Sequence, residues 1–144
     1  MTLKRRFEFT VESKLESLPK ISEFIAQTMK ELNVQNPKDI SAVQLSVDEA
    51  CTNIIQHAYS NESRGRIVIR CMLSSADKKF EVHVIDWGKS FDPTTIPTPD
   101  TQSNLNERRE GGLGLLFMRK FMDSIKYTSI HKANKLVMVK YLTG

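Results

Sequence analysis

Three short runs hold the residues best suited to chemistry. The first is Asp48-Glu49-Ala50-Cys51-Thr52-Asn53-Ile54-Ile55-Gln56-His57. Glu49 and Asn53 stand four apart, so on a helix their side chains stack on one face. An amide oxygen is a neutral, hard ligand of the kind Mg²⁺ accepts beside phosphate oxygens. A carboxylate one turn away could orient or deprotonate a nucleophile. The same pair could also be a solvated Glu and Asn on an exposed face. The second run is Val84-Ile85-Asp86-Trp87-Gly88-Lys89-Ser90-Phe91-Asp92-Pro93. Here an apolar strand ends in an acid that could accept from an amino group such as that of adenine. Gly88, lacking a Cβ, would let the backbone approach a flat base, although an ordinary Asp-x-Gly turn has the same spelling. The third run is Glu110-Gly111-Gly112-Leu113-Gly114-Leu115-Leu116, glycines that open an apolar helical stretch. Free N–H groups at such a helix start favour phosphate. No Gly-Lys-Ser/Thr follows, and no strand leads in, so it is neither a P-loop nor a dinucleotide fingerprint.

The elements that must position these runs follow from hydrophobic period. Phe7, Phe9 and Val11 alternate with Glu8, Thr10 and Glu12 as a half-buried strand does. Leu18, Ile21, Ile25, Met29 and Leu32 form one helical stripe over 15–32, with Pro19 in a tolerated first-turn position. Asn36-Pro37 reads as loop. A second helix is expected over about 39–59, burying Val43, Val47, Ala50, Ile54 and Ala58, with Glu49 and Asn53 lying away from that arc. After a turn at 61–65, strands over 66–73 and 80–85 alternate Ile67, Ile69, Cys71 and Phe80, Val82, Val84, joined as a hairpin. The stretch 86–114 holds Pro93, Pro97 and Pro99 and few apolar residues, a long loop of the kind that is more often functional than idle. A helix over 115–121 and strands over 124–130 and 135–142 close the chain. This β-α-α-β-β-loop-α-β-β order predicts an α+β two-layer sandwich, with helices on one face of a mostly antiparallel, mixed sheet.

The 144 residues suit a single domain spanning 1–144. Apolar residues at 40% are enough for a core without disulfide or metal staples. A formal charge of +4, in short runs broken by acids, argues against direct nucleic-acid binding. Cys51 and Cys71 sit in apolar runs and read as reduced core residues. No apolar run reaches membrane-spanning length and no signal-like start is present, so a cytoplasmic setting is expected.

Taken in order, the three runs resemble the boxes of the GHKL (histidine-kinase-like) ATPases. Glu49-x-x-x-Asn53 is similar to the N box, Asp86-x-Gly88 to the G1 box and Gly112-x-Gly114 to the G2 box. Ser90-Phe91-Asp92-Pro93 and Glu110-Gly111-Gly112-Leu113-Gly114-Leu115 are most similar to the bacterial anti-sigma serine kinases of partner-switching systems. The resemblance implies the Bergerat, histidine-kinase-like fold, ATP and Mg²⁺ as cofactors, and a site assigned residue by residue. Asn53 would hold Mg²⁺, and Glu49 would be the general base toward a protein hydroxyl. Asp86 would take the adenine amine, with Gly88 lining the base pocket. Gly112, Leu113 and Gly114 would bind phosphate with their backbone and hinge an ATP lid over about 93–110. Arg108 or Arg109 would reach the terminal phosphate or remain solvated lid charges. His57 would pack behind the site, and Trp87 would flank the base or lie at the surface.

The implied activity is an ATP-dependent serine/threonine protein kinase that is also an anti-sigma factor, phosphorylating an antagonist of the STAS type. Its partners would be that antagonist, a sigma factor or similar regulator, and a second copy in a homodimer. The alternative is an ATP-binding partner-switch module with little or no kinase activity. Two departures from the family pattern stand out. Ser90 replaces a second G1 glycine, and Ala133-Asn134-Lys135-Leu136 stands where many relatives carry a Gly-Thr pair beside the adenine.

Overall fold

The computed structural model describes residues 4–60, 64–95 and 112–143. Most of the expected lid, with Arg108 and Arg109, and part of the turn at 61–65 lie outside the described residues. The chain order is β1 (Lys4–Glu12), α1 (Leu18–Glu31), α2 (Pro37–Asn53), β2 (Arg66–Ser74), β3 (Lys79–Asp86), α3 (Gly112–Phe121), β4 (Ser124–Ile130) and β5 (Ala133–Tyr141). The five strands form one sheet in the order β1-β2-β3-β5-β4. Among the described residues all four pairings are antiparallel, so the expected mixed character is not seen there.

The expected periodicities become faces. Ile67, Ile69 and Cys71 of β2, Phe80, Val82 and Val84 of β3, and Leu136 and Met138 of β5 point into one core. Ile21, Ile25 and Met29 of α1, Val43, Val47 and Ala50 of α2, and Met118 of α3 meet them from the helical layer. Close packing at these positions makes truncation costly, about 3–5 kcal/mol for a buried Phe such as Phe80. Cys51 and Cys71 are free and buried. Burial pushes both thiols up, Cys71 to about 12 and Cys51 further, so neither is a poised nucleophile.

Local signals set the ends of α2. Asn36, expected in a loop, is its N-cap: Oδ1 accepts from the Lys38 N–H at 2.9 Å. Pro37 then occupies the first turn, where its missing N–H costs nothing, so the helix starts two residues earlier than its apolar stripe suggested. At the other end the helix widens into a π-turn over Ile54–Ala58, closed by the Tyr59 N–H donating to the Ile54 carbonyl at 3.0 Å. The β4–β5 hairpin turns through His131 and Lys132, both at positive φ (52° and 68°), the twist that a two-residue antiparallel connection demands.

Candidate functional site

The C-terminal half of α2 and the C-terminal end of β3 converge on one cavity. Asn53 and Asp86 both line it, with Ile54, Val84, Tyr127 and Leu136 as apolar and aromatic walls. Asn53 is only 5% exposed, although its wheel position lies off the main buried arc. The segment after β3 folds over that side of α2 and encloses it, a tertiary effect that helical periodicity does not register. The Nδ2 of Asn53 is buried and has no hydrogen-bond partner among the described residues. A buried amide nitrogen without a partner is costly unless a ligand or a water engages it.

Among the described residues, donors reach Asp86 on one oxygen. Its Oδ1 accepts from the Gly88 N–H and from the Asn134 side-chain amide, each at 2.9 Å. No described residue donates to its Oδ2. Desolvation raises the Asp86 carboxyl above its ordinary range, while the Asn134 and Gly88 donors pull against that shift. Gly88 also has a packing task that its sequence context did not suggest. A Cβ there would meet the Ala58 carbonyl oxygen at 2.5 Å, and the neighbouring Lys89 N–H donates to that same oxygen at 2.7 Å. The missing side chain lets the loop close on the π-turn, backbone to backbone.

Two tyrosines that no sequence signal marked hold this loop. The Tyr59 hydroxyl accepts from the Trp87 N–H at 2.8 Å and donates to the Arg66 carbonyl at 2.9 Å. The Tyr127 hydroxyl accepts from the Phe91 N–H at 3.1 Å and lies 3.0 Å from the Ser90 hydroxyl. Trp87 is a surface residue, 40% exposed, with the Arg66 guanidinium 4.6 Å above its ring. The exposed His57 stacks its ring on Phe91 at 4.4 Å. Phe91 and Pro93 themselves line the cavity and leave about 20 Å³ of free volume. That is room on the order of one water.

Glu49 sits one helical turn before Asn53, about 6 Å along the axis. It is half-buried, and desolvation first, then the charge of Asp48, raises its carboxyl. Gly114, in the first turn of α3, lies directly against it: a Cβ there would overlap the Glu49 carboxyl group. Gly112 opens α3 and Leu113 follows it, so the glycine-rich run does form a helix N-terminus beside the acid. Thus α2 brings Glu49 and Asn53 to one side, β3 brings Asp86 to Asn53, and α3 brings Gly114 to Glu49. Among the described residues no cluster of three His, Cys, Asp or Glu could hold a metal. A cation at Asn53 would therefore draw its remaining ligands from phosphate and water, the usual habit of Mg²⁺.

A two-layer sandwich with its polar residues at the α2–β3 junction defines a class before any name. The model of the histidine kinase-like ATPase domain matches residues 11–140, and the chain belongs to that family. Its similarity runs to the serine-protein kinase RsbW of Bacillus velezensis, 38% identical over 110 residues, 74% of this chain and 67% of that protein. The RsbW of Bacillus subtilis is 36% identical over 110 residues, covering 74% and 67%. The serine/threonine-protein kinase BtrW of Bordetella bronchiseptica is 30% identical over 97 residues, 67% of each chain. Within the family the chain stands with these protein serine/threonine kinases. Among solved structures, the RsbU and RsbW domains of Rv1364c from Mycobacterium tuberculosis share the fold at a TM-score of 0.69 and 15% identity. That match covers 96% of this chain and 32% of the solved one. No described helix is long and apolar enough to cross a membrane.

Proposed function

We propose that the chain binds ATP with Mg²⁺ at the α2–β3 junction and transfers the terminal phosphoryl group to a serine or threonine of a partner protein. The observation that carries this is the joint placement of Asn53 and Asp86 in one cavity, with Glu49 a turn away against the start of α3. Asp86 would accept the adenine amine through Oδ2, and Asn53 would hold the cation by its carboxamide oxygen. Mg²⁺, when bound, would neutralise phosphate charge. Glu49 would take the proton of the acceptor hydroxyl as its oxygen forms the new O–P bond and the bond to the ADP oxygen breaks. Backbone N–H groups of Gly112, Leu113 and Gly114 would meet phosphate.

The partners fitting this reading are a STAS-type anti-sigma antagonist as acceptor and a sigma factor or similar regulator as the protein held in check. A homodimer and a cytoplasmic setting complete it. The alternative is an ATP-binding partner-switch module with little or no kinase activity.

Calorimetric titration with ATP, with and without Mg²⁺, tests the site. Wild type should bind with a clear Mg²⁺ dependence, Asn53→Ala should lose it, and Glu49→Ala should bind yet transfer nothing to a protein acceptor. Wild-type transfer by Glu49→Ala would remove the general-base role. No binding at millimolar ATP would leave only a partner-holding module.

A further inference from the structure

A second cavity, of about 460 Å³, lies where three connecting segments meet: the α1–α2 loop over 32–36, the β2–β3 turn at Ser75 and Lys78, and the chain after β5 at Leu142 and Thr143. The chain enters β3 beside this cavity at Lys79 and leaves β3 at Asp86, so the length of the strand separates it from the site described above. Hydrogen bonds join the three segments to one another. The Asn36 Nδ2 donates to the Thr143 hydroxyl at 2.7 Å, and the Leu142 N–H donates to the Lys78 carbonyl at 2.9 Å. The loop is closed on its own helix by the Val34 N–H, which donates to the Met29 carbonyl at 2.9 Å. The walls are thus set by the fold, and the volume falls within the range of small-molecule sites.

The lining sorts into an apolar part and a single charge. Leu32 and Val34 are 7% and 9% exposed, and with half-buried Leu73 and Leu142 they carry the hydrophobic core up to the cavity. Lys78 is exposed and is the one charged residue of the lining, which contains no Asp or Glu. Among the described residues Lys78 has no ion pair, whereas its neighbour Lys79 is paired with Glu81 at 2.9 Å. Asp39, behind Thr143, already accepts two hydrogen bonds from that residue. We propose that this cavity binds a small organic monoanion with an apolar body, a medium-chain aliphatic carboxylate being the simplest case. The chain displaces water from the leucines and the valine, and the carboxylate meets the Lys78 ammonium. A cationic amphiphile of the same length meets a like charge there and finds no acid in the lining. The site is independent of the nucleotide reading.

The test is a titration of the ¹⁵N-labelled full chain with octanoate and with octylamine, followed by amide chemical shifts. Octanoate should saturate with a dissociation constant of about 1 mM or below, a modest efficiency for a ligand of this size. The shifts should cluster at 32–36, 73–78 and 142–143, and octylamine should bind far more weakly. Lys78→Gly removes the charge at a φ of 51°, which glycine adopts more readily than lysine, so the fold should hold while octanoate weakens about tenfold. Lys78→Glu should lose octanoate and admit octylamine. The inference is overturned by equal binding of the two amphiphiles to wild type, by shifts clustered elsewhere, by unchanged affinity in Lys78→Gly, or by no saturation at about 10 mM octanoate. None of these outcomes bears on ATP binding at Asn53 and Asp86.

Discussion

Glu49 is held protonated more readily than an exposed glutamate, first by desolvation and then by the charge of Asp48. A general base must be ionised, so the phosphoryl-transfer rate should rise with pH through a limb displaced above the ordinary carboxylate range. Asp48→Asn removes the second cause and leaves the first, so the limb should move down in pH without vanishing. A pH–rate profile of transfer to the acceptor protein measures it, and an unmoved or raised midpoint would remove Asp48 from the account. Stability runs the other way. Asp48, Glu49 and Asp86 all have raised carboxyls, so the native state binds their protons more tightly than the unfolded chain does. Their contribution is present below the unfolded values and declines as pH rises through the folded ones. The acid and amide of this site were legible in sequence because their spacing is local. Asn134 departs from the family pattern in sequence, but its bond to Asp86 joins residues 48 positions apart and depends on strand register. The tyrosines at 59 and 127 gave no signal, since their hydroxyls act on backbone groups that only the folded loop brings near.

At the scale of elements, α3 and α2 meet where Gly114 leaves room for the Glu49 side chain. Gly114→Ala should gain up to about 1 kcal/mol of helix propensity, offset in part by the collision. Its larger effect should be on chemistry: the carboxyl must move aside, and a misplacement near 1 Å costs about a hundredfold in rate. A thermal melt close to wild type with strongly reduced transfer is the expected pair of results. Wild-type transfer by Gly114→Ala would show that Glu49 works from another position. Helix and strand identities were legible because their apolar periods of 3.6 and 2 are explicit in the chain. The π-turn was not. Val43, Val47, Ala50, Ile54 and Ala58 fit a plain helix equally well, and the extra residue declares itself only in folded-state bonds such as that from Tyr59 to Ile54. That widening presents the Ala58 carbonyl to Lys89 and the His57 ring to Phe91, so an unmarked change in helix geometry seats the loop that narrows the cavity.

Over the whole molecule, the end of the sheet remote from the site is closed by Thr143. Its N–H and hydroxyl both donate to buried Asp39 Oδ2, and the hydroxyl accepts from Asn36 Nδ2 at 2.7 Å. The Leu142 N–H reaches the Lys78 carbonyl beside the β2–β3 turn, so this tie sits at the opposite end of β3 from Asp86, roughly 24 Å away at strand spacing. Thr143→Ala should therefore lower stability by about 1–2 kcal/mol in denaturant unfolding and leave nucleotide affinity alone. A change in affinity would mean that the two ends of the sheet communicate. Stability can also be followed without any substitution. The two thiols enclosed in the core have no exposure through which an alkylating reagent could reach them. Each is labelled only when its own element opens: Cys51 when the helix between Glu49 and Asn53 lifts, Cys71 when an interior strand parts from the layer above it. The unmodified chain thus contains two internal timers. A ligand that binds only the closed form should slow both, by about a hundredfold at a hundred times its dissociation constant, while one that merely steadies α2 should slow the first alone.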